Sequence, residues 1–277
     1  MSGTFLEEMA AASRARLATA RQAEPEAVLA ARAGRWPAPP RLRLAPGGFG
    51  LIAELKLRSP AAGQLGDAAD DLAARVTGYA RAGAAAVSVL TEPQRFDGTL
   101  AQLAEAAAAL APLAIPAMRK DFLVDPYQVL EARAAGAGGV LVILRMLSRA
   151  EIEALLECAR AQGLFVLLEA FDAHDLEPMH DLVAAHAAHN VLLAGVNCRD
   201  LSTLAVVPER LMELAPLLPG GVPRVAESGV TTPDDARRVA AAGYDLALVG
   251  SALMQEADPA SLVRSMLAAG RTARGVG

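Results

Sequence analysis

The chain has 277 residues, enough for one large domain or two small ones, and 53% of them are apolar, ample for a packed core. A net charge of −5 argues against nucleic acid or an acidic membrane surface as the main partner, so an anionic ligand has to be captured by a local site. Two cysteines without a CxxC exclude a disulfide framework, the first residues carry no basic-then-apolar signal segment, and no apolar run reaches the roughly 18 residues of a membrane span; a soluble, cytoplasmic protein is expected.

Residues 4–22 have a helical pattern with Phe5, Leu6, Met9 and Leu17. Residues 26–33 form a second expected helix, which Trp36-Pro37-Ala38-Pro39-Pro40 breaks. The stretch of about 49 residues before the first strand is too short to hold its own core. It reads as an N-terminal helical extension packed on a single domain that spans the whole chain.

From there one pattern repeats. A helical stretch ends in Ala-Gly and a short apolar run follows, as in YARAGAAAVSVL (79–90), EARAAGAGGVLVIL (131–144) and RRVAAAGYDLALVG (237–250). Glycine just past a helix end adopts positive φ, and a run apolar on both faces suits a parallel strand covered by helices. Eight such runs occur, at 50–55, 86–90, 113–118, 139–143, 164–169, 192–197, 223–227 and 245–250. Their spacing is that of a strand, a helix and two loops, and the fold class is α/β: a (β/α)8 TIM barrel with an N-terminal helical extension. A doubly wound open sheet uses similar units, but no GxGxxG follows the first run. The closing GRTARGVG reads as frayed.

Active sites of such barrels lie at the C-terminal strand ends, so polar residues there carry the information. Strand 1 ends in Glu54, with Lys56 two residues on and therefore on the same face, and Ser59-Pro60 beyond. Strand 3 runs into Arg119-Lys120-Asp121-Phe122. Strand 5 ends in Glu169, strand 6 in Asn197 with Arg199 two further, strand 7 in Glu227-Ser228-Gly229, and strand 8 in Gly250-Ser251. Any one of these alone would be a solvated loop residue. As a series abutting apolar runs they mark a site, because carboxylates in a barrel mouth cost several kcal/mol unless paired or used. Glu54, Glu169 and Glu227 against Lys56, Lys120 and Arg199 form a balanced set, which a structural ion network would also explain. Ser228-Gly229 and Gly250-Ser251 follow the strands after which barrels commonly bind phosphate, and VGSALMQ fits the start of a short helix with Ser251 as its cap.

Other candidates fare worse. His186 and His189 have a spacing that could bridge a metal, but no carboxylate or cysteine completes a ligand pattern; with His174 and His180 they read as a solvated helix face. Cys198 adjoins Asn197 without a histidine to activate it and reads as a small buried side chain. No metal site is expected.

In combination these segments closely resemble the indole-3-glycerol-phosphate synthase family. The resemblance rests on IAELKLRSP (52–60), VLTEPQRFDGTL (89–100), RKDFLVDPYQVLEARAAGA (119–137), GVNCRDL (195–201), VAESGV (225–230) and LVGSALM (248–254), in order over about 200 residues; FLEEMAAASRARL is similar to the family's extension. It implies cofactor-free ring closure, decarboxylation and dehydration of 1-(o-carboxyphenylamino)-1-deoxyribulose 5-phosphate to indole-3-glycerol phosphate. It further implies that Lys120 is general acid on the ketone oxygen, that Glu169 accepts the proton during dehydration with Lys56 or Lys120 assisting, and that Lys56 pairs with the anthranilate carboxylate. Glu54 and Asn197 would orient the lysines and substrate hydroxyls, with Arg199 and Glu227 in support. Phosphate would fall to Ser59, Gly229, Gly250 and Ser251, beside Ser228, and the ring to Phe96, Phe122 and Leu141. The implied partner is an anionic phosphorylated small molecule, not nucleic acid or a membrane, and a monomer is compatible with this reading.

In one place the chain departs from the family: after Ser59-Pro60 it continues Ala61-Ala62-Gly63 where Ser-Lys-Gly is usual, which puts affinity or turnover in doubt. Three rivals stand beside the synthase. A phosphoribosylanthranilate isomerase would need a cysteine at the end of strand 1, which is missing. A Schiff-base aldolase would use Lys120 or Lys56 as nucleophile. A non-catalytic paralogue would bind ligand without turnover, and only the altered first loop favours it.

Overall fold

The computed structural model describes residues 4–44, 48–60, 63–66, 71–200 and 203–275. Two helices open the chain, α1 (Phe5–Ala23) and α2 (Glu26–Ala33). Thr4 and Glu7 form a reciprocal capping box that starts α1. Then follow β1 (Gly50–Leu55), a short antiparallel hairpin of β2 (Arg58–Ser59) and β3 (Gly63–Gln64), and α3 (Leu72–Arg81). The middle of the chain is β4 (Ala86–Leu90), α4 (Pro93–Phe96), α5 (Leu100–Leu110), β5 (Ala117–Lys120), α6 (Pro126–Ala134), β6 (Gly139–Ile143), α7 (Arg149–Gln162), β7 (Phe165–Ala170) and α8 (Ala173–His186). The last part is β8 (Leu192–Asn197), α9 (Glu209–Leu214), β9 (Arg224–Glu227), α10 (Pro233–Ala241), β10 (Leu246–Val249), α11 (Ser251–Gln255) and α12 (Pro259–Ala273).

The strands β1 and β4 to β10 close into one parallel barrel in the order β1-β10-β9-β8-β7-β6-β5-β4. Side chains of period two divide the core. Ile52, Ala86, Met118, Leu167, Leu193, Val225 and Leu246 fill the barrel interior, whereas Leu51, Ala53, Val87, Val140 and Val166 pack against the helices. The Ala-Gly junctions behave as the sequence indicates: Gly83, Gly136 and Gly243 have φ of 104°, 83° and 105°. Among the described residues no helix is long and apolar enough to cross a membrane.

Seven expected strands lie within one residue of their observed bounds, and the third does not. The apolar run predicts 113–118, but β5 starts at Ala117 and runs through Lys120. Pro112 opens a turn of 3-10 helix at Ala111–Leu113, Ala114 takes φ 54°, and Pro116 has no N–H for a ladder, so the apolar letters LAIP are not strand. The charged Arg119, expected just past the strand end, belongs to the strand because the following loop and helix α6 bring partners to its charge. It is 3% exposed behind the strand, bonded to Asp121 at 3.0 Å, Glu131 at 3.0 Å and the Gln128 carbonyl at 2.8 Å.

The closing segment is also more ordered than GRTARGVG suggests, since α12 continues to Ala273. Gly270 is the reason: a Cβ there would lie 2.1 Å from Phe49 Cδ1, so its bare backbone packs directly on a buried ring.

Candidate active site

A cavity of about 400 Å³ opens at the C-terminal end of the barrel. Glu54, Lys56, Lys120, Glu169, Asn197, Arg199 and Glu227 all line it, brought together from five strand ends separated by up to 173 residues of sequence. They converge because each ends an inward-facing row: Ile52 leads to Glu54, Met118 to Lys120, Leu167 to Glu169 and Val225 to Glu227.

The charges pair in two clusters. Lys56 Nζ lies 2.8 Å from Glu54 Oε1. Lys120 Nζ donates to Glu169 Oε2 at 3.0 Å and to Glu227 Oε2 at 3.2 Å. Asn197 Nδ2 donates to the same Glu169 oxygen at 3.2 Å, while its Oδ1 accepts from the Arg199 backbone N–H at 3.0 Å. Arg199 joins neither cluster; its guanidinium donates to the Leu204 carbonyl at 2.7 Å. The expected balance of charges is therefore mostly realised as direct ion pairs, with Arg199 the exception.

Each cluster is seated against a glycine. A Cβ on Gly250 would fall 2.3 Å from Glu54 Oε1 and 2.9 Å from Lys56 Nζ, and one on Gly195 would fall 2.4 Å from Glu227 Oε1. Gly195 carries no chemistry, and its place beside Glu227 follows from the β8–β9 register rather than from any local motif.

Electrostatics separate the roles. Burial disfavours the Lys120 cation, but Glu169, Glu227 and Glu54 outweigh it and hold the ammonium well above the ordinary lysine range. A Schiff-base lysine needs the opposite shift, which argues against the aldolase reading. Burial and the neighbouring Glu169 push the Glu227 carboxyl well above the ordinary range despite Lys120, and among the described residues Glu227 Oε1 has no hydrogen-bond partner. A protonated Glu227 leaves one lysine facing one carboxylate, which is cheaper than two buried anions.

The pH consequence has a definite sign. The folded protein keeps the Glu227 proton above pH 4.5, the ordinary value at which an unfolded chain releases it. The stability this group contributes is full below that pH and is lost as pH rises through the folded value. Glu227→Gln mimics the protonated form, so its unfolding free energy relative to the parent should grow in the variant's favour from pH 4 upward, as denaturant titrations at several pH values would show. A constant difference would mean that Glu227 is already ionised.

At the proposed phosphate end, Ser228 (φ 65°), Gly229 (φ 69°), Gly250 and Ser251 line the cavity. Ser228 is a non-glycine residue held in left-handed backbone, a strain of about 1 kcal/mol or more that is common at ligand sites. One expectation is corrected. Ser251 is the first residue of α11 rather than its cap; Gly250 takes the cap position and offers no side-chain bond. The first N–H groups of α11 therefore meet no capping oxygen. Ser59 is buried in β2 and is not among the residues lining the cavity. Ala61 and Ala62, where the chain departs from its family, lie outside the described residues.

Phe96, Phe122 and Leu141 line the cavity as expected, with the two rings 6.3 Å apart. Sequence reasoning missed two further aromatic walls. Phe5, from α1, meets Phe122 edge to face at 5.9 Å. Phe171 lies two residues past Glu169, and that period-two offset was the available signal. Asp121 also borders the cavity but is committed elsewhere, accepting from Thr91 Oγ1 at 2.8 Å and from Arg119 and Arg16. Arg16 reaches Glu92 as well, at 3.3 Å, so α1 is fastened to the loops after β4 and β5.

The histidines stay apart from this cavity; His180 Nε2 donates to the Leu217 carbonyl. Cys198 is fully buried in the core, and burial pushes its thiol up to about 11, as suits an inert packing residue.

Comparison with known proteins decides the family. The indole-3-glycerol phosphate synthase family profile matches residues 6–266. The chain belongs to the indole-3-glycerol phosphate synthase family. Two relatives named indole-3-glycerol phosphate synthase align along nearly the full chain at 41% identity: that of Micrococcus luteus over 98% of this chain and 100% of its own, and that of Beutenbergia cavernae over 96% of each. The synthase of Parafrankia sp. is 45% identical over 79% of this chain and 78% of its own. Among solved structures, a thiamine phosphate pyrophosphorylase from Pyrococcus furiosus superposes with a TM-score of 0.57 over 81% of this chain and 96% of that one; at 16% identity this speaks for the barrel fold alone. As a member of this family the protein is an enzyme of tryptophan biosynthesis.

Proposed function

We propose that this cavity performs the synthase reaction as a carboxy-lyase, converting 1-(o-carboxyphenylamino)-1-deoxyribulose 5-phosphate to indole-3-glycerol phosphate, carbon dioxide and water. The observation that carries the reading is a pair of lysines, each held by carboxylates in one cavity with aromatic walls. Phosphate binds at Gly229, Gly250 and Ser251, beside Ser228, and the anthranilate ring lies among Phe96, Phe122 and Leu141. Lys56 leaves Glu54 for the ring carboxylate, which folds the substrate so that ring carbon and ketone meet.

Lys120 then donates to the ketone oxygen as the ring carbon attacks it. Its position between Glu169 and Glu227 supplies a proton on an ammonium that the surrounding carboxylates keep charged. Loss of carbon dioxide restores aromatic character to the new ring system. In the dehydration that follows, Glu169 accepts the proton while Lys56 or Lys120 assists the departing hydroxide. Asn197 holds Glu169 in place, with its own Oδ1 accepting from the Arg199 backbone N–H, and Glu227 holds Lys120 from the other side.

The test is stoichiometry with trapping. Carbon dioxide and indole-3-glycerol phosphate should appear one to one, and borohydride added during turnover should leave Lys56 and Lys120 unmodified. A reduced adduct on either lysine would replace the acid–base reading with covalent catalysis.

A further inference from the structure

The wall that Phe171 adds to the cavity has a support of its own. Phe171 is 2% exposed and continues the inward row of Phe165, Leu167 and Glu169, so its ring stands above Glu169 in the barrel mouth. The Arg145 guanidinium lies over this ring, 4.9 Å from its centroid. Arg145 itself is held edge-on. Its Nε and Nη2 donate to Asp175 Oδ2 at 2.9 and 2.6 Å, and Nη2 also reaches Asp172 at 2.5 Å. Asp175, only 3% exposed, accepts in addition from the Phe171 backbone N–H at 2.7 Å.

The arrangement joins three elements. Arg145 follows β6, whose last residue Ile143 lines the cavity; Phe171 follows β7; Asp172 and Asp175 lie at the start of α8. Asp175 fixes the Phe171 backbone, and Arg145 fixes its ring. A phenylalanine at a strand end would otherwise sample other rotamers, and one staggered alternative would turn the ring out of the cavity. Arg145 does not line the cavity, so whatever it contributes to substrate passes through Phe171.

We infer that Arg145 is a positioning residue for the substrate's aromatic ring: with Asp175 it locks Phe171 inward as a wall of the ring pocket. This rests on the reading of the cavity as the synthase site. A wall that touches the ring but not the reacting atoms contributes equally to ground state and transition state, so its loss shows in KM rather than kcat.

The experiment is a double-mutant cycle on steady-state kinetics. Arg145→Ala should raise KM about tenfold with kcat within about twofold, as expected for lost uniform binding through a cation-held ring. Phe171→Leu, which leaves the Arg145–Asp175 pair intact and guards against a folding defect, should raise KM by a similar factor. The double variant should be no worse than either single one, and Arg145→Lys should recover much of the parental KM in the Phe171 background only. Additive effects overturn the inference, as does an Arg145→Ala protein with a lower melting temperature and parental KM. A fall in kcat at unchanged KM would likewise overturn it, by showing that Arg145 acts on Glu169. Failure of the parental protein to turn over substrate would instead count against the proposed function.

Discussion

Lys120→Ala should lower kcat by a factor of about a thousand or more, the combined scale of a positioned acid and a buried electrostatic donor, in a protein that still folds. The lysine bridges Glu169 and Glu227, and its removal takes both the proton and the cation from the place where the alkoxide develops. The fold survives because Glu227 already tends to hold a proton, so beside the Glu54–Lys56 pair the cavity is left with one carboxylate, Glu169, that Asn197 still contacts. Thermal melting beside steady-state kinetics separates the two effects. The parental pH profile should show no lysine limb between pH 6 and 9, because the folded value lies far above that window. Near-normal turnover of the variant would remove Lys120 from the acid role.

Glu169→Gln should lose at least about a hundredfold in kcat with little change in KM. Glutamine keeps the shape of the side chain and can still accept from Lys120 and Asn197, so packing is preserved while basicity is not. A loss below about tenfold would pass the base role to another group. The Asn197 contact gives an internal control: Asn197→Ala leaves the Glu169 carboxylate basic but less well oriented, and should cost less than Glu169→Gln.

Much of this site was legible because barrel geometry turns sequence order into spatial convergence. Glu54, Lys120, Glu169, Asn197 and Glu227 each follow an apolar run, and an inward-facing last residue can only point into the mouth. The Ala-Gly junctions were legible for a local reason, since positive φ is cheap only for glycine. What escaped depends on how the chain folds back on itself rather than on apolar pattern. Arg119 looked like a loop residue until Asp121, Glu131 and the Gln128 carbonyl surrounded it. Prolines 112 and 116 stopped a strand that apolar letters alone suggested. Phe5 reaches the cavity because α1 is fastened to the barrel by contacts such as those of Arg16 and Ser13, and the space that Gly195 leaves for Glu227 exists only once β8 lies beside β9.

The most direct measurement is indole fluorescence on mixing the purified protein with 1-(o-carboxyphenylamino)-1-deoxyribulose 5-phosphate in the presence of a chelator. A steady rise in the parental protein, absent in Lys120→Ala at equal folded concentration, is the result expected of this site. Binding of the substrate without any rise in the parental protein would contradict it and identify a member of the family that has kept the cavity and lost the reaction.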